Sequence, residues 1–94
     1  MNGIKALQIQ RIEKEMRMRL AVTIQKCNTL RGLVVNGDIS IPAAKHAINN
    51  GLGQELCFRY ARLCKFIRFY DNGIEFPQMD NIKGEYNKNI DFFF

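Results

Sequence analysis

The chain has 94 residues, 47% of them hydrophobic, with seven Phe, three Tyr, and 14 Lys and Arg against nine Asp and Glu for a net charge of +5. That length makes one domain, able to bury roughly two-thirds of its unfolded surface, and that apolar content excludes an intrinsically disordered chain. Residues 1–35 carry seven cations and two acids, residues 36–72 five and three, and residues 73–94 two and four, so a basic body precedes a mildly acidic tail and favours polyanions or acidic protein surfaces as partners.

The opening stretch MNGIKALQIQRIEKEMRMRL has no apolar core of the length a secretory signal needs. Glu13 and Glu15 argue against an acid-poor transit peptide, and no run is long enough to cross a membrane. The setting expected is the cytoplasm. What the stretch does have is helical spacing: Ile9, Ile12, Met16, Leu20, Ile24 and Cys27 step by three and four along one face, predicting a first helix over about 4–31. A thinner stripe of Ile4, Leu7, Met18 and Val22 lies nearly opposite. One small domain seldom covers both sides of so long a helix, so this stripe is the expected self-association face of a homodimer, with cover by the Phe-rich tail as the rival.

Asn36-Gly37-Asp38 is turn chemistry. Ser40 then offers an N-cap, Pro42 fits a first helical turn, and Gly51 is a C-terminal stop, predicting a second, short helix over 41–50. A third helix is expected over 54–70, closed by Asp71-Asn72-Gly73. Beyond it, Pro77, Gly84 and several asparagines space out short apolar pieces. Ile74-Phe76 and Ile90-Phe92-Phe94 alternate as paired strands do. The fold expected is therefore mainly α, a single domain of three helices with a short β-hairpin or irregular tail over 74–94.

The third helix carries CFRYARLCKFIRFY. On a wheel, Leu56, Tyr60, Leu63, Cys64 and Ile67 gather on a core face. Arg59, Arg62, Lys65 and Arg68 climb the other side as a slow spiral, because a step of three falls about 60° short of a turn, and Phe58 and Phe69 sit inside that spiral. Three readings are open. The tail folds back over Phe58 and Phe69 and leaves the cations solvated; the surface binds protein, where aromatics and Arg are the enriched anchors; or it binds nucleic acid by stacking and phosphate contact.

Ala47, Gly51 and Leu52 have the small-residue and turn-glycine spacing that resembles a helix-turn-helix, which implies the third helix in the DNA-reading position. The resemblance covers about twenty residues and departs at Asn50, where an apolar plug is usual, and at Gly53, where a cap is expected. RFYDNGIEFP with Gly84 downstream is faintly similar to the wing of regulators of the mercury-resistance type, although the turn that motif requires lies too far upstream.

Catalytic chemistry finds little to work with. His46 is the single histidine, with no second ligand at metal spacing, so no metal site is expected. Cys27, Cys57 and Cys64 lie on or beside apolar faces, which suits reduced thiols packed as small hydrophobes. Ser40 is better explained as a cap, and Glu13 and Glu15 diverge on a helix. No phosphate-binding glycine loop occurs. A non-enzymatic protein without cofactor is expected: a small regulator of inhibitor, antirepressor or adaptor type that binds another protein, or alternatively a helix-turn-helix transcriptional regulator. The partner-binding residues expected are Phe58, Arg59, Arg62, Lys65, Arg68, Phe69 and Tyr70, with Phe92 and Phe94 from the tail.

Overall fold

The structure, a computed structural model, describes residues 3–94, with Gly3 and Ile4 as backbone only. The first helix, α1, runs Gly3–Val35. Its 33 residues make about 50 Å of helix at 1.5 Å per residue, which accounts for the 53 Å long axis of a molecule 21 and 17 Å across its other axes. It runs four residues past the end expected near residue 31 and stops at the Asn36-Gly37-Asp38 turn. Asp38 N–H bonds the Leu33 carbonyl at 2.8 Å, closing that turn.

The short helix α2 spans Ile41–Ala47, with the Ser40 hydroxyl accepting from Ala43 N–H at 3.2 Å and Pro42 in its first turn. A wide turn over Ile48–Leu52 comes next, in which Gly51 has φ 118°. A side chain would be strained in that left-handed conformation, so the glycine lets α2 turn directly into α3, Gly53–Phe69. Ile48 is buried at the junction and Asn50 is exposed. Gly53, a flexible point by sequence, is a packing glycine in the fold: an added Cβ would lie 2.7 Å from Ile48 Cγ2 and 2.8 Å from Phe94 Cζ.

The tail is where the expectation fails. Residues Asp80–Phe93 form a fourth helix, α4, and no strand occurs among the described residues. Ile82, Tyr86, Asn89 and Phe93 recur every three or four residues and face the other helices. Gly84 and the asparagines hide this period by lowering intrinsic helix propensity, and tertiary burial overrides it. Asp80 in the first turn suits the positive end of the helix dipole.

Thr23 meets Glu55 and Gln10 meets the Glu75 carbonyl, so α3 runs antiparallel to α1. Arg17 meets the Gln78 carbonyl and Asn28 meets Asn89, so α4 returns parallel to α1. The result is a three-helix bundle of α1, α3 and α4 with α2 packed on the α1 end. Its core is Leu20, Ile24, Cys27, Ala44, Ile48, Leu56, Leu63 and Phe93, each large member contributing about 1.5–3 kcal/mol. Tyr60 stacks on Tyr86 at 3.9 Å and 6°, joining α3 to α4.

The α1 face differs from the expected stripe in one respect. Ile9, Leu20, Ile24 and Cys27 are buried, but Ile12 is 47% exposed, while Glu13 and Thr23 are buried instead. The segment between α3 and α4 lies against the Glu13 side of α1 and leaves the Ile12 side open, as the Arg17 bonds to Pro77 and Gln78 show.

Candidate functional site

Between the antiparallel α1 and α3 lies an open-sided groove of about 480 Å³. α3 presents Phe58, Arg62, Lys65 and Phe69 on the face toward it, flanked by Arg59, Phe66 and Tyr70; α1 presents Ile12, Glu15, Met16 and Arg19. Both sets recur every three or four residues, which places them on one face of each helix. The floor and walls are aromatic and aliphatic, with cations around the opening.

The tail does not cover this surface. Phe58 is 63% exposed and Phe69 78%, because α4 docks on the opposite, Tyr60-bearing side of α3. The reading in which the tail folds over these two rings is thereby overturned. Phe69 packs edge-on against Tyr70 at 4.9 Å, and Tyr70 in turn lies 4.7 Å from Phe66, forming a connected aromatic wall. At the other end the Arg62 guanidinium sits 6.0 Å from the Phe58 ring centroid, within cation–π range.

The cations divide by whether an acid answers them. Arg59 Nε donates to Glu55 Oε1 at 2.9 Å, a bond that, with the Thr23 hydroxyl, holds the Glu55 carboxyl below its usual range. Arg19, Arg62, Lys65 and Arg68 have no carboxylate within ion-pair distance among the described residues. Glu15 is the one acid in the groove lining.

Comparison with protein-family models, curated proteins and solved structures gave no match. The site is therefore read from its own residues.

Of the residues expected to bind a partner, Phe58, Arg59, Arg62, Lys65, Phe69 and Tyr70 line the groove together. Arg68 is exposed but outside it, since the spiral has rotated past the opening by then. Phe92 and Phe94 belong to the tail. Phe92 packs against the core and Phe94 lies against Gly53 at the start of α3, so the structure does not bring them to this site. Sequence reasoning missed Ile12, Glu15, Met16, Arg19 and Phe66. Ile12 and Met16 carry the helical spacing of core residues, and only the docking angle of α3 tells an uncovered apolar residue from a buried one.

In the stripe expected to self-associate, Leu7, Met18 and Val22 are 66%, 60% and 58% exposed, and nothing among the described residues covers them. Ile4 has a side chain that lies outside the described residues. His46 is exposed on α2, and all three cysteines are free, Cys27 buried and Cys57 and Cys64 half-buried. Among the described residues, no helix is long and apolar enough to cross a membrane.

Proposed function

We propose that this chain is a non-enzymatic regulatory protein of inhibitor, antirepressor or adaptor type, and that it acts by binding another protein through the α1/α3 groove. One observation carries the reading: Phe58 and Phe69, two large exposed aromatics, frame an apolar hollow whose Arg and Lys neighbours lack internal acid partners, Arg59 excepted. Exposed aromatics beside Arg are what interface hot spots are made of, and a monomer with no partner gains nothing by leaving them in water. Three free thiols suit a reducing compartment such as the cytoplasm. The uncovered Leu7, Met18 and Val22 support a second, self-associating contact on the opposite side of α1. A light-scattering mass near 10.9 kDa at high protein concentration would retire that contact.

The alternative is a helix-turn-helix DNA reader, favoured by the Gly51 turn that leads into basic α3. It is the weaker reading because the start of α3, the part such proteins offer to base edges, carries Glu55 and no cation in its first turn. The deciding experiment is a pull-down from the native host with and without nuclease, repeated with the Phe58→Ala/Phe69→Ala variant. One protein captured in both conditions and lost with the variant supports the proposal. Tight, sequence-dependent duplex binding, whose salt slope drops when Arg62 or Lys65 becomes Ala, overturns it.

A further inference from the structure

The chemistry of the groove narrows what can occupy it. We infer that the α1/α3 groove receives an acidic amphipathic α-helix of about three turns supplied by the partner protein, with its apolar stripe on the groove floor and its carboxylates against Arg19, Arg62 and Lys65. This rests on the reading that the groove binds protein, and it adds the shape and charge of the occupant.

The length comes from α3. Phe58 and Tyr70 bound the groove along that helix, and twelve steps at 1.5 Å make about 18 Å, just over three turns of a facing helix. The helical form follows from the walls. Both are α-helices, whose backbone donors and acceptors are already used internally, so an extended peptide would lay unpaired N–H and C=O groups over an apolar floor. A helix pairs its own backbone and presents only side chains at i, i+3, i+4 and i+7 spacing. Met16 and the rings of Phe66 and Phe69 give that stripe an adaptable, large apolar counterpart.

The charge follows from the rim. Of the groove-lining residues, Arg19 on α1 and Arg59, Arg62 and Lys65 on α3 carry positive charge against Glu15 alone, and only Arg59 has an acid partner of its own, Glu55. A basic occupant would bring like charges together and an acidic one would answer them. The same argument disfavours a second copy of this chain, whose uncovered stripe lies on α1, the most basic stretch of the sequence with seven cations and two acids in residues 1–35. Single-stranded nucleic acid could stack on Phe58 and Phe69, but it would leave the aliphatic surface of Ile12 and Met16 uncovered.

The test is fluorescence anisotropy of the full chain with labelled synthetic peptides of about 18 residues, long enough to hold helix. One has leucines on a single face and Glu flanks, a second the same leucines with Lys flanks, and a third the Glu composition with scrambled leucines. The Glu-flanked helix should bind about tenfold or more tighter than either control, and Phe69→Ala should weaken it by a similar factor. The double reversal Arg62→Glu/Lys65→Glu should exchange the preference in favour of the Lys-flanked peptide, a result that a merely unfolded variant cannot produce. Equal binding of the three peptides, or a labelled oligo-dT that displaces the Glu-flanked helix and needs the same phenylalanines, overturns the inference. A photo-crosslinker placed at Phe69 in host cells separates the two levels. Capture of a protein through a basic or non-helical segment overturns the occupant and leaves protein binding standing, whereas capture of nucleic acid alone overturns both.

Discussion

Arg17 Nη2 donates to the carbonyl oxygen of Pro77 at 2.7 Å, across 60 residues of chain. Its Nη1 reaches the Gln78 carbonyl at 3.1 Å, and its Nε is bonded to Glu13 Oε1 at 2.7 Å. One guanidinium thus ties α1 to the segment that launches α4, and a buried carboxylate orients it. Breaking either half should loosen the fold. Glu13→Gln removes the charge that holds the fork and should cost about 2 kcal/mol, and Arg17→Lys, which has no fork, a similar amount. Urea denaturation measures both. A change under about 0.5 kcal/mol would show that the linker is held by its apolar contacts alone.

Two glycines in helices should respond to alanine with opposite signs. Gly84, exposed on α4 with nothing within 4 Å of an added Cβ, should gain about 0.5–1 kcal/mol through helix propensity. At Gly53 the new methyl would meet Ile48 Cγ2 at 2.7 Å. Ile48 is 2% exposed and has nowhere to go, so overpacking of about 1–3 kcal/mol should exceed the propensity gain. Melting temperatures of Gly53→Ala and Gly84→Ala should therefore move in opposite directions.

Acid should weaken the protein through Glu55 and Glu85. Arg59 hydrogen-bonds Glu55 and Lys88 hydrogen-bonds Glu85, and each carboxyl titrates below the ordinary 4.5. Groups depressed in the fold contribute stability that is present above about pH 4.5 and lost as pH falls through their folded values. Glu55→Gln should flatten the acid limb of a plot of urea midpoint against pH.

Alkali should act through the opposite shift. Burial raises the Cys27 thiol from 9.0 to about 11, and burial, with the bond to Cys57 next, raises Tyr86 from 10.0 to about 12. Stability is fully present below pH 9.0 and declines as pH rises toward these folded values. Tyr86→Phe, which keeps the ring against Tyr60, should reduce the loss above pH 10.0.

The same burial makes a labelling prediction. Cys57 and Cys64 are half-buried and should react with iodoacetamide in the native protein, while Cys27, with no exposure, should react only after unfolding. Mass spectrometry of the pulse-labelled chain reads this residue by residue. Early modification of Cys27 would mean that α1 separates from α3 and α4 under native conditions.

Much of the local structure was legible in the sequence because it depends on residues close together in the chain. The Ser40 cap, the Gly51 turn and the end of α3 are decisions of one or two side chains about their own backbone. So was half of the groove: Phe58, Arg62, Lys65 and Phe69 share a face of α3 whatever that helix packs against. The rest depended on what each face meets. Ile12 and Ile24 have the same chemistry and the same helical spacing, yet Ile24 is 5% exposed and Ile12 47%, because α3 and α4 cover one side of α1 and stop short of the other. Glu13 is buried where Arg17, which it binds, reaches the linker carbonyls of Pro77 and Gln78. The tail folds as α4 rather than as strands for a like reason: its glycine and asparagines leave local preference weak, and burial of Tyr86 and Phe93 against the other helices makes the choice. Sequence alone decides which residues share a face. The tertiary structure decides which faces are covered, since burial is a property of two surfaces and a single segment carries only one of them.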